Sequence, residues 1–243
     1  MVAKKVEVTS LAYGEQQAYM WSSSGSAGYE IKPADKTSVG TSVKLYLKDN
    51  DDDCRYDEYT EEYYLRMLVK KYSDYIRYPI VMDVTRSRKK EGSDEQEEYT
   101  ETVTLNSMVP LWKKQKSQIK EEEYNSFYEA KFHDYEAPLK VIHANMEGAV
   151  NYTALLFIPA HAGSEYYTKD YKKGLQLYCN GVLITDCCED LVPDCYAFVK
   201  GVVDSSDLSL NISREVLQQD RQLKAIAGGI EKKITAELGK MLE

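Results

Sequence analysis

The feature that most constrains the fold is an apolar run at residues 152–159, which reads YTALLFIP. A strand made of this run would bury both of its faces, as strands inside a covered sheet do. Residues 175–179 then read as a strand, and Asn180-Gly181 is the strongest hairpin signal in the chain. Residues 182–184 return as the second strand of that hairpin. We therefore expect a buried sheet with residues 152–159 as a central strand.

Apolar side chains at helical spacing predict helices around this sheet. The predicted helices lie within residues 64–76, 120–132, 187–203 and 208–241. Gly228-Gly229 falls inside the last of them, where it indicates a kink or a close packing contact.

Two further strands are predicted at residues 80–85 and 99–105. They read as a hairpin whose loop is the charged stretch 86–98.

The beginning of the chain has a different pattern. Residues 1–48 alternate in polarity and predict an antiparallel meander of short strands. No predicted helix covers these strands, so we expect them to be the tail of a larger domain and the chain to be a piece of a longer protein. Residues 49–62 carry eight Asp or Glu and only Arg55 against them, which indicates a solvated linker and a helix start.

Composition excludes several classes of function. The 243 residues suffice for one large domain, or for one domain and part of another. A net charge of −9 argues against nucleic-acid binding. No apolar run approaches the ~20 residues of a membrane span, and no signal peptide is visible. The odd number of cysteines lacks CxxC spacing and indicates reduced thiols rather than a metal site, so we expect a cytoplasmic protein. The cysteines are Cys54, Cys179, Cys187, Cys188 and Cys195.

One segment suggests chemistry. A polar turn at residues 204–207 leads into a helix that carries Asn211, Arg214 and Gln218 near its start. Arg214 and Gln218 are four residues apart and share a helix face. An Arg in a first turn opposes the helix dipole, so local stability does not explain it, whereas a phosphate held there would. An ion pair with an acidic neighbour is the simpler alternative, and on spacing alone it is favoured.

Motif inspection adds little. The sequence has no P-loop and no GxGxxG, GxSxG or HExxH motif. His133 and His143 read as structural histidines, and Trp112 as an anchor in the core or at a domain boundary. The residues alone predict an α/β domain with a helix start suited to an anion.

Several stretches match one family when they are taken together. They are residues 201–219 (GVVDSSDLSLNISREVLQQ), 174–184 (GLQLYCNGVLI), 156–160 (LFIPA), 71–79 (KYSDYIRYP), 111–112 (LW), 19–23 (YMWSS) and 40–47 (GTSVKLYL). With these stretches the chain resembles the heat-shock protein 90 chaperone family, in its bacterial form, over nearly its whole length.

The resemblance implies an anatomy and an activity. Residues 1–48 would be the last strands of an N-terminal ATP-binding domain, residues 49–59 an acidic linker, and residues 60–243 the large αβα-sandwich subdomain of a middle domain. The full-length protein would be a homodimeric ATP hydrolase that uses ATP and Mg and binds client proteins. This chain alone would hold neither ligand tightly and would be inactive.

The resemblance also assigns residues. Arg214 would reach the γ-phosphate of ATP bound in the N-terminal domain, with Gln218 as its partner there and Asn211 bracing the loop. Thr41 would line the adenine end of the nucleotide pocket. The family's apolar docking motif after LFIPA departs here to AGSEYY at residues 162–167, which leaves Tyr166 or Tyr167 as substitutes.

A second class of function stays open at this point. The chain could be a non-catalytic module that binds partner or unfolded proteins. Arg214 would then be structural, and an exposed Trp112 with a tyrosine-rich surface would make the contacts.

Overall fold

The computed structural model describes residues 2–25, 28–89, 96–208 and 221–243. The chain divides into two compact units, Met1–Leu65 and Arg66–Glu243. Each unit is described by itself below.

The first unit is built on an antiparallel sheet. Its strands are β1 (Ala3–Leu11), β2 (Ala18–Ser23), β3 (Glu30–Ala34) and β4 (Gly40–Leu47). They lie in the order β3-β2-β1-β4, and each neighbouring pair is antiparallel. The meander predicted from alternating polarity is therefore confirmed.

One face of this sheet is apolar. Register places Val8 beside Trp21 on β2 and Val43 on β4, and Trp21 beside Ile31 on β3. Ile31 and Val43 are each 59% exposed. The strands thus alternate with the two-residue period of a sheet, which brings their apolar side chains onto one face.

The second unit begins within a short helix. Helix α1 (Glu62–Leu68) crosses the division between the units and continues as a π-helical turn, Val69–Ser73. The helix predicted over residues 64–76 is therefore present but shorter.

A two-stranded ribbon follows, formed by β5 (Val81–Lys89) and β6 (Gln96–Thr104). The predicted hairpin is confirmed, but placing all of residues 86–98 in a loop was wrong. Arg86 pairs with Tyr99, and Arg88 lies opposite Glu97 with their side-chain atoms Nη2 and Oε2 3.4 Å apart. Opposite charges across a ribbon support pairing, so a charged sequence continues the strands here.

The second unit is organised on a five-stranded sheet. Its strands are β7 (Lys140–Met146), β8 (Tyr152–Ile158), β9 (Leu175–Cys179), β10 (Val182–Cys188) and β11 (Lys200–Asp204). They lie in the order β10-β9-β11-β8-β7. Strand β11 is parallel to β9, and the other neighbours are antiparallel.

Strand β8 lies between β11 and β7, so the prediction of a buried inner strand is confirmed. The helix predicted within residues 187–203 was wrong, because the end of β10, two 3₁₀ turns and β11 take its place. Val202 and Val203 are both fully buried. In a strand that is buried on both faces, neighbouring positions can both be apolar, and such a pair also fits helical spacing. A Cβ on Gly201 would lie 2.6 Å from the backbone oxygen of Leu155, so this position admits only glycine in the sheet.

Helices cover both faces of the five-stranded sheet. Leu156 and Ile158 belong to the core cluster that contains the apolar side of α3 (Arg221–Leu242). Leu155 and Phe157, which point the other way, belong to the cluster that contains Tyr128 of α2 (Glu121–Phe132). The predicted αβα sandwich is confirmed.

The hairpin between β9 and β10 has the predicted turn. Asn180 has φ 52° and Gly181 has φ 80°, both in the left-handed region that a two-residue I′ turn needs. A Cβ on Gly181 would also lie 2.3 Å from the backbone oxygen of Tyr75. Both the turn and the packing beside it therefore require glycine.

The two adjacent glycines of α3 predict opposite mutational effects. A Cβ on Gly229 would lie 2.3 Å from the hydroxyl oxygen of Tyr152, whereas one on Gly228 meets no atom within 4 Å. We expect Gly229→Ala to lower the free energy of unfolding by about 1–3 kcal/mol through overpacking. Gly228→Ala should raise it by up to ~1 kcal/mol through helix propensity. Urea unfolding of both variants measures this, and equal shifts of one sign would contradict the packing of α3 on Tyr152.

Candidate functional site

The segment predicted to carry the chemistry is flanked by two well-packed positions. Asn211, Arg214 and Gln218 themselves lie outside the described residues. Leu208 before the segment is 6% exposed and Leu223 after it is 5% exposed, and both belong to the core cluster of α3. Both flanking positions therefore lie in the same core cluster of the second unit.

A buried carboxylate lies where the chain leaves β11. The side chain of Asp204 is 1% exposed, and its Oδ2 lies 2.7 Å from Nζ of Lys113. The indole Nε1 of Trp112 donates to the same oxygen at 3.1 Å. The backbone N–H of Gly181 approaches Oδ1 at 3.4 Å. Three donors from two other parts of the unit thus hold the end of this strand.

The next residues form a second anchor. The hydroxyl of Ser205 donates to the backbone oxygen of Asn151 at 2.6 Å. Oδ2 of Asp207 accepts from the backbone N–H of Asn151 at 2.8 Å and from its side-chain amide at 3.0 Å. These bonds help to hold down the pKa of Asp207, with the backbone N–H of Asn151 as the main cause. The polar turn predicted from the sequence is therefore tied to the start of β8.

Sequence reasoning did not identify Asp204 or Asn151 as site residues. Asp204 was read as part of a polar turn, although it directly follows the apolar pair Val202-Val203. That position, at the end of a buried strand, is the one signal that could have marked it.

Trp112 is the centre of an aromatic cluster. Its ring is 1% exposed and lies 4.6 Å from Tyr75, 5.1 Å from Tyr178 and 6.0 Å from Phe127, measured between centroids. Burial raises the pKa of Tyr75 to about 12. Trp112 is thus the core anchor that the sequence indicated. The exposed ring that the interaction-module alternative required is not present, which corrects that part of the alternative and the assignment of Trp112 as a docking side chain.

The two predicted structural histidines have backbone or core roles. His143 is buried, its Nε2 donates to the backbone oxygen of Trp112 at 2.8 Å, and its Nδ1 lies 2.7 Å from the hydroxyl of Tyr124. Burial lowers the pKa of His143. His133 ends α2 in the left-handed conformation, with φ 52°. The ring of His143 therefore serves the core, and His133 marks the end of α2.

The remaining candidate residues lie at the surface. Thr41 is exposed on β4, and its hydroxyl lies 2.9 Å from that of Ser10. Tyr167 is 81% exposed, and the ring of the half-buried Tyr166 lies 5.3 Å from it and 5.0 Å from Tyr171. The exposed ring of Tyr167 and its neighbour Tyr166 suit docking. That role, and the place of Thr41 in a nucleotide pocket, stay predictions.

The described residues hold neither a cluster of metal ligands nor a membrane-spanning helix. Among the described residues no three His, Cys, Asp or Glu side chains come together as a metal site would need. All five cysteines are free thiols. Within that same part of the chain, none of the helices combines the length and apolar composition needed to cross a bilayer.

Comparison with known proteins gives one consistent result. The family model described as Hsp90 protein matches residues 58–104 and 95–243. The chaperone protein HtpG of Halalkalibacterium halodurans is 56% identical over 244 residues, which are 100% of this chain and 39% of the relative. HtpG of Bacillus subtilis is 53% identical with the same coverage. HtpG of Shouchella clausii is 54% identical over 95% of this chain and 37% of its own. The chain therefore spans about two fifths of the length of these relatives.

Proposed function

The chain belongs to the Hsp90 family, in its bacterial HtpG type, and we propose that it is part of an ATP-dependent molecular chaperone. The observation that carries the proposal is the 56% identity to HtpG over 100% of this chain. The proposed parent hydrolyses ATP, acts as a homodimer in the cytoplasm and binds client proteins. Residues 1–48 are assigned to its nucleotide-binding domain, residues 49–59 to a linker and residues 60–243 to its middle domain.

Within that function, Arg214 is the residue that acts on the nucleotide. Its guanidinium contacts the γ-phosphate of ATP bound in the nucleotide-binding domain and stabilises the charge that develops during hydrolysis. Gln218 is its partner at the same phosphate, and Asn211 braces the segment. A planar, always charged guanidinium suits this task because it matches phosphate oxygens with paired donors.

The anchors on either side of the segment support this assignment. A group that must meet a phosphate has to be held within a fraction of an ångström of its target. Asp204 and Ser205 fix the chain before the segment, and Leu223 fixes it afterwards. The described chain on both sides of the segment is therefore held by buried contacts.

Other residues of this chain contribute to nucleotide binding, to docking and to client binding. Thr41 belongs to the nucleotide pocket, Tyr166 and Tyr167 to the surface that meets the nucleotide-binding domain, and the second unit contributes to client binding. Mg accompanies ATP in the parent.

Mixing separate parts tests the proposed function. We expect this chain alone to show no ATP turnover, because most of the nucleotide pocket belongs to the rest of the parent. Added to the isolated nucleotide-binding domain of the Halalkalibacterium HtpG, it should raise turnover roughly tenfold or more, since a charge stabiliser supplied in trans can contribute ~10³-fold. Steady-state phosphate release measures both. The Arg214→Ala chain should give no stimulation, and equal stimulation by the two chains would overturn the proposal.

A further inference from the structure

Strand β7 is a regular edge of the five-stranded sheet. It pairs with β8 from Lys140 to Met146 without a register shift, and the described part of the chain places no strand on its other side. An edge strand directs alternate N–H and C=O groups away from the sheet, where another strand can pair with them. No backbone hydrogen bond joins these outer groups to another described segment. The outer side of β7 is therefore suited to accept a strand.

The opposite edge of the same sheet, β10, is protected. Its pairing with β9 shifts register twice between Leu183 and Cys188. The π-helical turn Val69–Ser73 packs beside it, and Nζ of Lys71 lies 3.4 Å from Oδ2 of Asp186. Bulges and covering segments are common protections of an edge against unwanted strand pairing. Strand β7 has neither a bulge nor a proline, so the two edges of this sheet differ.

A groove of about 310 Å³ lies at the edge formed by β7. Residues 140–143 of the strand line it. Lys116 and Tyr124 line it from the side of α2, and Lys233 and Glu237 of α3 line it from the other side. Because both layers of the sandwich contribute, the groove lies over the edge of the sheet rather than on one of its faces.

The groove carries a surplus of positive charge. Lys116, Lys140 and Lys233 line it, and Glu237 is the one carboxylate among its described lining residues. Nζ of Lys140 and Nζ of Lys233 lie 3.6 and 3.8 Å from the carboxylate oxygens of Glu237. Nζ of Lys240 lies closer, at 2.8 Å. One negative charge is thus shared by several lysines, in a chain whose net charge is −9. Such a local surplus attracts carboxylates.

These charges also decide which strand fits the edge. A second copy of this chain would bring the same lysines to the contact, and like charges across paired strands are unfavourable. A segment with Asp or Glu would meet opposite charges instead. Leu139 and Met146, at the two ends of β7, are 61% and 40% exposed. They offer contacts to apolar residues, so an acidic segment that also carries apolar side chains matches this edge.

We propose that the open edge of β7 binds an acidic, extended segment of a partner protein by strand addition. The backbone of the segment pairs with the outer groups of β7, and its carboxylates contact Lys116, Lys140 and Lys233. Its apolar side chains contact Leu139 and Met146. Main-chain pairing supplies the affinity in this mode of recognition, and the side chains supply the selectivity. The inference is independent of the proposed role in ATP hydrolysis.

Charge reversal in the groove tests the site. The probe is a labelled peptide as long as β7 in which glutamate and valine alternate, and fluorescence anisotropy measures its Kd for this chain. Lys116→Glu and Lys140→Glu should each raise the Kd by about three- to tenfold at low salt. Lys224→Glu makes the same change at an exposed position of α3 outside the groove and should alter the Kd by less than about twofold. Equal weakening by all three changes would overturn the site.

Methylated peptides separate strand addition from attraction between charges alone. Methyl groups on alternate backbone nitrogens remove the donors on one side of the peptide, and two such peptides cover both sides. At least one of them should bind about tenfold more weakly, because its donors to β7 are lost. The unmethylated peptide should slow hydrogen exchange of the amides of residues 140–146. Equal binding of all three peptides, or unchanged exchange of these amides, would contradict strand addition.

Two other occupants of the edge would be recognised by the same titration. A chain that forms a dimer, measured by sedimentation equilibrium, and binds the peptide only as a monomer would assign the edge to a second copy. A full-length protein that contains this chain and fails to bind the peptide would assign the edge to another part of that protein. Either result would overturn the assignment to an acidic partner.

Discussion

Arg214→Ala should lower ATP turnover by about 10²–10³-fold, with little change in the Kd for ATP, in a full-length chimera in which this chain replaces the matching 39% of the Halalkalibacterium HtpG. The reason is that the proposed contact stabilises charge that develops on the γ-phosphate during hydrolysis, so its loss raises the barrier more than it weakens binding of the ground state. A loss of this size corresponds to roughly 3–4 kcal/mol of transition-state stabilisation. Single-turnover hydrolysis and equilibrium nucleotide binding measure the two quantities separately.

The matched control is Arg221→Ala. Arg221 is exposed at the first residue of α3 and carries the same charge only seven residues further along the chain. Its loss should leave turnover within about twofold, because surface charges act weakly through water and salt. Equal losses for both variants would show that general positive charge, rather than a contact of Arg214, drives hydrolysis.

Arg214→Lys separates the effect of the charge from the effect of the paired donors of the guanidinium. A lysine keeps the charge but loses the planar pair of donors, so we expect only partial rescue. Full rescue by lysine would indicate a general electrostatic effect at this position.

Local sequence signals were sufficient where a structure is made by neighbouring residues. The meander of the first unit, the Asn180-Gly181 turn and helix α2 follow from two-residue alternation, turn chemistry and helical spacing. In α2, three acidic residues also occupy the first turn, where the helix dipole favours them.

Signals failed where distant packing decides the outcome. Strand β11 is buried between β9 and β8, and its short buried pair Val202-Val203 carries no period that separates strand from helix. Residues of β5 and β6 that read as a charged loop are strands because each lies opposite a partner on the other strand. Strand β7 was not predicted, since its pairing with β8 is what makes it a strand.

The residues of the candidate site also differ in how far the sequence predicts them. Asn211, Arg214 and Gln218 were assigned by resemblance, and spacing alone favoured an ion pair for Arg214. The contact between Trp112 and Asp204 joins residues 92 positions apart, so neither local sequence predicts it. Buried polar pairs of this kind depend on the whole fold, whereas a turn or a cap depends on a few residues.

Ile226→Ala should lower the free energy of unfolding of the second unit by about 2–5 kcal/mol, because a fully buried side chain leaves a cavity that its neighbours fill only partly. Ile226 belongs to the cluster that also receives Leu208 and Leu223, the positions on either side of the Arg214 segment. Truncation at this point weakens the layer that holds both ends of that segment.

The measurement can be confined to the second unit. The chain has two tryptophans, so a Trp21→Phe background leaves the buried Trp112 as the fluorescent reporter of urea unfolding. Glu231→Ala, at an exposed position of the same helix, is the control and should shift stability by no more than about 0.5 kcal/mol. A loss below about 1 kcal/mol for Ile226→Ala would mean that α3 does not form the closed layer over the sheet. Leu208 and Leu223 would then not share the packed layer that supports the proposed role of the segment between them.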